Sequence, residues 1–256
     1  MLLTIDIGNT NVVMGCLDKD DRVLHLFRMV TDLKKTEDEY ASVMKMILTH
    51  NEVDCQGFEG AIICSVVPPL THIFQEAVEK TIGKKALVVG AGIKTGLNIM
   101  IENPASLGSD IVAASVAAMA EYPLPVIVID MGTATTITVV DKGNKFIGGA
   151  IVPGVALSMN ALSSGTSLLQ KVPIEAPKNC IRTTTIECMQ SGAVYGNAAL
   201  LDGMIDRFCQ ELGCQPSLVA TGGIASKIVP YCNHRITYDE NLLLKGLGMI
   251  YRKNTR

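Results

Sequence analysis

The chain has 256 residues, a formal net charge of −3 and a sequence pI near 5.8. A chain of this length can bury one large core or two ordinary cores without disulfide or metal support. The slightly acidic balance argues against a nucleic-acid partner, because a binder of that class needs clustered Lys and Arg to neutralise phosphates.

Cysteine usage and the N-terminal segment indicate the compartment. The eight cysteines form no C-x-x-C pair and no cluster with zinc-ligand spacing, so we expect reduced cysteines with structural roles. Residues 1–6 read as a strand without the basic and apolar regions of a signal peptide. The richest apolar run, residues 111–129, is broken by one glutamate and two prolines, so none reaches the ~18 residues of a membrane span. We therefore expect a cytoplasmic protein without a membrane partner.

Strands and helices alternate along the first half. One strand ends at Asp6, and a second apolar run follows at Val12–Leu17. Thr36 and Glu39 have the spacing of a capping box, which predicts the start of a helix. The remaining predictions are a buried strand at residues 60–67, a helix at 70–82 and a second buried strand at 86–89. A Gly- and Asn-rich loop follows at 90–108, and a helix begins near residue 110.

The second half repeats the beginning of the first. A buried strand runs into Asp130-Met131-Gly132-Thr133, and 130 minus 6 separates the two acidic turns by 124 residues, close to half the chain. Further elements are predicted at residues 135–140, 145–152, 185–209, 218–220 and 241–251. We therefore predict an α/β fold of two duplicated domains with mixed β-sheets, residues 1–122 and 123–256, and an active-site cleft between them.

The acidic turns are the candidate phosphate site. Gly8 permits close backbone approach, and backbone N–H groups of such a turn can hold phosphate oxygens. Asp6 could hold Mg²⁺ through water, because hard cations prefer oxygen ligands. One turn of this kind is more often an ordinary hairpin. The second copy of the turn at Asp130 favours the other interpretation, in which the two turns together bind a metal–nucleotide complex.

Two further segments could contribute to a kinase site. Gly108-Ser109-Asp110 precedes a predicted helix, where Ser or Asp could simply be an N-cap. A carboxylate in that position could also accept the proton of a substrate hydroxyl during phosphoryl transfer. Thr221-Gly222-Gly223 follows a short strand and could lie against adenine or ribose, although such glycines usually belong to turns.

Taken together, these segments resemble a known family. The paired acidic turns and the late Thr-Gly-Gly are similar to the layout of the acetate kinase, sugar kinase, Hsp70 and actin superfamily. Within it, the chain resembles the type III pantothenate kinases in segments that lie in order over nearly its whole length. These segments are residues 6–11, 65–69, 92–97, 102–104, 108–110, 130–136, 148–149, 189–192 and 220–223.

The resemblance implies a fold and a reaction. The domains would be ribonuclease H-like, and the reaction would be ATP-dependent phosphorylation of pantothenate to 4′-phosphopantothenate, the first step of coenzyme A biosynthesis. Asp110 would be the general base, Mg²⁺ would accompany ATP, and Asp130 would bind K⁺ or NH₄⁺. The family forms homodimers with pantothenate near the interface. Expected ATP contacts are Asp6, Ile7, Gly8, Asn9, Thr10, Asn11, Val12, Val13 and Thr133. Expected pantothenate contacts are Gly108, Ser109, Asp110, Ile111 and Thr185.

The chain departs from the family pattern at two positions. Ile111 stands where an Arg often follows the catalytic Asp, and Ile101 stands where a Tyr is common. Loss of a hydrogen bond to a charged ligand costs about 1.5–3 kcal/mol. We expect the pantothenate carboxylate to be held differently, by Arg182 or another base near Thr185.

Two other functions remain open from the sequence. A related kinase that acts on another hydroxyl would explain Ile101 and Ile111. A non-catalytic nucleotide-binding regulator is the other, because some relatives have been described as accessory factors in gene expression. Retention of Asp6, Asp110 and Asp130 argues against the regulator, and the acidic pI argues against direct DNA contact.

Overall fold

The computed structural model describes residues 1–255 and divides into two compact units. Unit 1 contains residues 1–97, 102–120 and those from 241 onward, and unit 2 contains residues 98–101 and 121–240. The strands are β1 (Leu2–Ile7), β2 (Asn11–Leu17), β3 (Val23–Val30), β4 (Gly60–Ser65), β5 (Ala86–Val88), β6 (Asn98–Ile99), β7 (Val126–Met131), β8 (Ala134–Val140), β9 (Lys145–Pro153), β10 (Ser217–Thr221) and β11 (Thr237–Tyr238). The helices are α1 (Glu37–His50), α2 (Pro68–Ile82), α3 (Ser109–Glu121), α4 (Val155–Ser164), α5 (Thr185–Ser191), α6 (Asn197–Leu212), α7 (Ala225–Ile228) and α8 (Leu242–Thr255).

Unit 1 is built on a mixed sheet with strand order β3-β2-β1-β4-β5. β1 is antiparallel to β2 and parallel to β4, so the carboxyl ends of β1 and β4 meet at one edge. Successive side chains of a strand point to opposite faces. Leu3, Ile5 and Ile7 therefore share one face, and they belong to a buried cluster that also contains apolar side chains of α1 and α2. The predicted capping box of Thr36 and Glu39 is confirmed at the start of α1.

The C-terminal helix α8 covers the other face of the same sheet. A Cβ on Gly15 would lie 2.8 Å from a Leu244 methyl, and the Tyr251 hydroxyl fills the space beside Gly60. Arg252 Nε donates to Asp21 Oδ1 at 2.8 Å. The compact units therefore differ from the predicted division into 1–122 and 123–256, because this helix buries its apolar face in unit 1.

The sheet of unit 2 has the order β11-β10-β7-β8-β9-β6, in which β7 to β11 repeat the pairing of β1 to β5. The copies share a register irregularity, between Cys16 and Leu17 in β2 and between Val139 and Val140 in β8. They differ in the first hairpin, which has three linking residues in unit 1 and two in unit 2, and in the additional strand β6, which pairs with β9 in unit 2. The predicted α/β fold with two mixed, duplicated sheets is confirmed.

Some elements differ from the sequence prediction. The long helix predicted over residues 185–209 consists of α5, a π-helical segment at Gly192–Gly196 and α6. The half-exposed strand β3 and the helix α4 had not been predicted. Within residues 1–255, no helix combines the length and the apolar character required to cross a membrane.

Candidate active site

The carboxylate of Asp6 lies at the carboxyl end of β1. It pairs in register with Val13 of β2 and with Cys64 of β4. Because side chains at the same register position lie on the same face of a sheet, Cys64 reaches Asp6, and its Sγ donates to Asp6 Oδ1 at 3.2 Å. Asp6 is therefore held by a hydrogen bond from Cys64 on the adjacent parallel strand β4.

The hairpin after Asp6 exposes its polar tip. Asn9, Thr10 and Asn11 are exposed, whereas the side chains of Ile7 and Val12 are fully buried in the core of unit 1. Of these residues, Ile7 and Val12 can therefore meet a ligand only through backbone atoms. The half-buried Gly8 donates its N–H to the Asn11 carbonyl oxygen at 3.0 Å. Val13 is half-buried beside Asp6.

Asp110 lies in the first turn of α3, and Ser109 ties that turn to the end of β4. The Ser109 hydroxyl accepts from the Ser65 N–H at 3.0 Å and donates to the Ser65 carbonyl oxygen at 3.1 Å. Ser109 is thus the first residue of α3, and its hydroxyl joins α3 to β4 instead of acting as the N-cap that was considered from the sequence. Asp110 Oδ1 accepts from the Ile111 N–H at 2.8 Å and also occupies the space that a side chain on Gly108 would need.

Two carboxylates with perturbed acidity come together in unit 1. Burial raises the pKa of Asp6 to about 6; the hydrogen bond from Cys64 opposes this shift, and the charge of Asp110 adds to it. Burial also raises the pKa of Asp110, against the opposing effect of the Ile111 N–H. Burial and repulsion between two carboxylates make both of them bind a proton more readily. The same conditions favour a bound cation, which neutralises their charge, so a carboxylate pair of this kind is typical of a functional site.

Asp130 occupies the equivalent strand end in unit 2. It pairs in register with Thr136 of β8 and with Thr221 of β10. Gly222 has a φ of +93°, and a Cβ there would lie 2.6 Å from Asp130 Oδ1. The Thr-Gly-Gly turn therefore lies directly against this carboxylate. The exposed Thr133 is held through its carbonyl oxygen, which accepts from the Gly154 N–H at 3.1 Å.

Thr185 begins α5 in unit 2 and is exposed. It borders a cleft of about 520 Å³ whose other lining residues are mostly apolar, including Met159, Leu162 and Met189. Arg182, the base suggested for the pantothenate carboxylate, donates to Glu187 Oε1 at 2.5 Å. Its charge is thus already paired, which weakens that suggestion.

The donor sets determine which cations could be held. Within residues 1–255, no group of three or more His, Cys, Asp or Glu side chains forms a metal cage. A single carboxylate such as Asp6 suits Mg²⁺, which keeps several waters and takes its other ligands from substrate phosphates. At Asp130 the structure shows one carboxylate with the Gly222 backbone packed closely against Oδ1, and a carboxylate oxygen is a ligand that hard cations accept.

Comparison with known proteins decides the family. The family model for type III pantothenate kinases matches residues 2–207. A type III pantothenate kinase of Brevibacillus brevis is 42% identical over 254 residues, which is 99% of both chains. The chain belongs to the type III pantothenate kinase family. In this family member, Asp6 and Asp130 lie at the ends of β1 and β7, and Asp110 lies in the first turn of α3.

Solved structures agree on the fold of this pantothenate kinase family member. A Baf family transcriptional activator of Campylobacter jejuni has a TM-score of 0.61 at 20% identity, with 98% of both chains covered. An inorganic polyphosphate/ATP-glucomannokinase of Arthrobacter has a TM-score of 0.50 at 16% identity, again over 98% of both chains. Identities this low show a shared fold and carry no statement about activity.

Three features of the site had not been found from the sequence. They are the thiol of Cys64 at Asp6, the two hydrogen bonds between Ser109 and Ser65, and the fit of Gly154 against the turn at Thr133. Ser65 and Ser109 each lay inside a recognised segment, so the segments contained a signal. Their pairing depends on how the start of α3 packs against the end of β4, and this packing is visible only in the fold.

Proposed function

We infer that this chain transfers the γ-phosphoryl group of ATP to the primary hydroxyl of pantothenate and releases 4′-phosphopantothenate and ADP. The observation that supports this most directly is that Asp6 and Asp110 lie close enough in unit 1 for the charge of Asp110 to raise the pKa of Asp6. The Ser109–Ser65 hydrogen bonds connect the helix that carries Asp110 to the strand beside Asp6. Membership of the type III pantothenate kinase family supports the choice of pantothenate.

Asp110 is the proposed general base. As the hydroxyl oxygen of pantothenate bonds to the γ-phosphorus and the bond to the ADP oxygen breaks, the hydroxyl proton passes to the Asp110 carboxylate. Burial raises the pKa of this carboxyl, which makes it a better acceptor than an exposed aspartate. Phosphoryl transfer needs mainly positioning and charge stabilisation, so one well-placed carboxylate is sufficient on the acceptor side.

Asp6 and the exposed hairpin tip form the proposed nucleotide side. Backbone N–H groups in the segment from Asp6 to Val13, together with Thr133, are the proposed contacts of the ATP phosphates. Mg²⁺, when bound with ATP, supplies positive charge that stabilises the phosphate oxygens. Asp6 would orient the water ligands of that ion, and Asp130 would hold K⁺ or NH₄⁺ beside Gly222.

Gly108, Ser109, Asp110 and Ile111 form the proposed pantothenate side, with Thr185 as a further contact. A homodimer is also proposed, and exposed apolar side chains on unit 2 support it. Ile151 is 72% exposed, Leu168 is 92% exposed and Ile181 is 90% exposed. Large apolar side chains that are this exposed can contribute to a protein interface, and a second copy of this chain is the proposed partner. We also propose a cytoplasmic location and no nucleic-acid partner.

A related kinase with a different hydroxyl substrate is the second candidate. Ile101 and Ile111 offer no polar side chain, and the Arg182 charge is paired with Glu187. A kinase of this superfamily with a less polar acceptor would fit these residues as well.

A substrate comparison separates the two candidates. Purified chain would be incubated with ATP, Mg²⁺ and K⁺, and ADP release would be followed for pantothenate, pantetheine and simple sugars. We expect pantothenate to give the highest kcat/KM. A higher kcat/KM for pantetheine, which lacks the carboxylate, would favour the second candidate, and turnover of sugars alone would exclude pantothenate as the substrate.

A further inference from the structure

The thiol of Cys64 makes a hydrogen bond that a buried cysteine does not need. It is fully buried in β4, and its Sγ donates to Asp6 Oδ1 at 3.2 Å. A buried cysteine usually behaves as a small apolar residue with a weak S–H donor. Here the donor is directed at the carboxylate that the proposed mechanism places on the nucleotide side.

The hydrogen bond constrains the Asp6 side chain. A carboxylate at a strand end can rotate about its terminal torsion, which has broad minima. The thiol engages Oδ1 on the side of β4 and thereby fixes the plane of the carboxylate. Oδ2 is then presented in one direction, which is the geometric requirement for orienting the water ligand of a cation.

The internal repeat shows the same arrangement of residue types. Cys64 pairs in register with Asp6, and Thr221 pairs in register with Asp130. Both neighbours are small side chains that can donate a hydrogen bond, and Thr221 is also buried, at 3% exposure. An S–H or O–H donor beside the acidic strand end therefore occurs in both halves, although the residue type differs.

We propose that Cys64 is a positioning residue of the kinase site, which fixes the Asp6 carboxylate for the magnesium nucleotide. This inference rests on the proposed function, because it assigns Asp6 to the nucleotide side. The residue acts through Asp6 and touches neither ATP nor pantothenate. Its loss should weaken binding of the magnesium nucleotide and leave the KM for pantothenate unchanged.

Four substitutions of Cys64 separate the effect of its hydrogen-bond donor from the effect of its side-chain volume. Cys64→Ala removes the donor, Cys64→Ser keeps it, and Cys64→Thr introduces the residue type of the repeat. Cys64→Val has the shape of Cys64→Thr without the hydroxyl, so this pair tests the donor even where the alanine variant does not fold. Cys16→Ala is the matched control, because Cys16 is an equally buried thiol of the same sheet that lies away from Asp6.

The measurement is the Kd of magnesium-loaded AMPPNP, obtained by isothermal titration calorimetry in K⁺ buffer, with the KM for pantothenate measured on the same preparations. We expect Cys64→Ala to raise this Kd about three- to tenfold, because the hydrogen bond that is lost has a weak S–H donor and acts on the nucleotide only through Asp6. Cys64→Ser should stay within about twofold of the original chain, Cys64→Thr should bind more tightly than Cys64→Val, and Cys16→Ala should bind normally.

A double-mutant cycle with Asp6→Ala, which removes the acceptor of the thiol, completes the test. If Cys64 acts through Asp6, Cys64→Ala should change the Kd little further once Asp6 is replaced. An unchanged Kd in Cys64→Ala, an equal loss in Cys16→Ala, or an undiminished effect in the Asp6→Ala background would overturn the proposal. Failure of the proposed function is a separate result, because it would show as no pantothenate turnover by the original chain whatever the Kd values are.

Discussion

The Ser109 hydroxyl hydrogen-bonds both the N–H and the carbonyl oxygen of Ser65, at 3.0 Å and 3.1 Å. One side chain thus fixes the first turn of α3 against the last residue of β4. Because Asp110 follows Ser109 directly, these bonds determine where Asp110, the proposed general base, lies relative to the strand end beside Asp6. Positioning of this kind governs the rate of phosphoryl transfer.

Ser109→Ala should therefore reduce activity more than stability. We expect kcat/KM for pantothenate to fall about tenfold or more, and the free energy of unfolding to fall by about 1–2 kcal/mol, the usual range for one or two lost hydrogen bonds. Steady-state kinetics and urea denaturation measure the two quantities. Ser106→Ala is a suitable control, because Ser106 bonds only the nearby Asn103 carbonyl oxygen. Equal kinetics for the two variants would contradict the positioning role of Ser109.

Asp6→Asn should increase stability while it impairs nucleotide binding. The folded-state pKa of Asp6 is raised from 3.8 to about 6, so the folded state binds this proton more tightly than the unfolded state. The cost of ionising Asp6 is therefore absent below pH 3.8, grows between pH 3.8 and 6, and is constant above that range. We expect Asp6→Asn to be more stable than the original chain by about 1–3 kcal/mol at pH 8.

The pH dependence is the control for this effect. Urea denaturation in EDTA without nucleotide, at intervals between pH 4 and 8, gives the difference in unfolding free energy. We expect the advantage of Asp6→Asn to shrink as the pH falls from 6 towards 4. A difference that does not vary with pH would show that ionisation of Asp6 is not its cause.

Gly222→Ala should damage the site at Asp130. Any side chain at this position meets Asp130 Oδ1 and the Met131 backbone, and the φ of +93° is strained for an L-residue. We expect the K⁺ concentration for half-maximal activity to rise at least tenfold and the stability to fall by about 2 kcal/mol or more. Kinetics over a K⁺ series and thermal denaturation test both.

Gly196→Ala is the matched control for Gly222→Ala. Gly196 lies in the helical region before α6, and a Cβ there meets nothing within 4 Å. Alanine should be neutral or stabilise by up to about 1 kcal/mol, because it restricts the unfolded chain. K⁺ dependence that is unchanged in Gly222→Ala would contradict the assignment of the cation to Asp130.

Asn254→Ala should release the loop before β6. Asn254 accepts from the Lys94 N–H at 3.0 Å and donates to the Lys94 carbonyl oxygen at 2.9 Å, so it fastens this loop to α8. We expect faster amide hydrogen exchange across residues 90–97, with exchange in α8 little changed. Thr255→Ala serves as control, since the Thr255 hydroxyl donates to the Tyr251 carbonyl oxygen of its own helix. Equal exchange in both variants would show that the side chain does not hold the loop.

Much of the fold could be predicted from local patterns. The duplicated fold was predicted from the acidic turns at Asp6 and Asp130, because each shows a strand, a glycine turn and a second strand within a short stretch of sequence. The helix α8 was predicted in nearly the right place, whereas its packing against the sheet of unit 1 was not predicted. Its apolar spacing shows that one face is buried, and it cannot show which sheet covers that face.

The candidate site was predictable to the same extent. Asp110 and Asp6 were named from their positions at a helix start and a strand end. Their connection through Cys64, Ser65 and Ser109 depends on the parallel pairing of β1 with β4, a contact between residues far apart in sequence. The half-exposed strand β3 was missed because its burial is too weak to produce a clear alternation.

The central claim is tested most directly by product analysis of the original chain and Asp110→Asn. Each would be incubated with ATP, Mg²⁺, K⁺ and pantothenate, and 4′-phosphopantothenate would be quantified by mass spectrometry while nucleotide binding is measured by calorimetry. We predict product from the original chain, and a loss of at least about a hundredfold in kcat for Asp110→Asn, in line with removal of a general base, with AMPPNP still bound. No product from the original chain, or an undiminished rate in Asp110→Asn, would contradict the account.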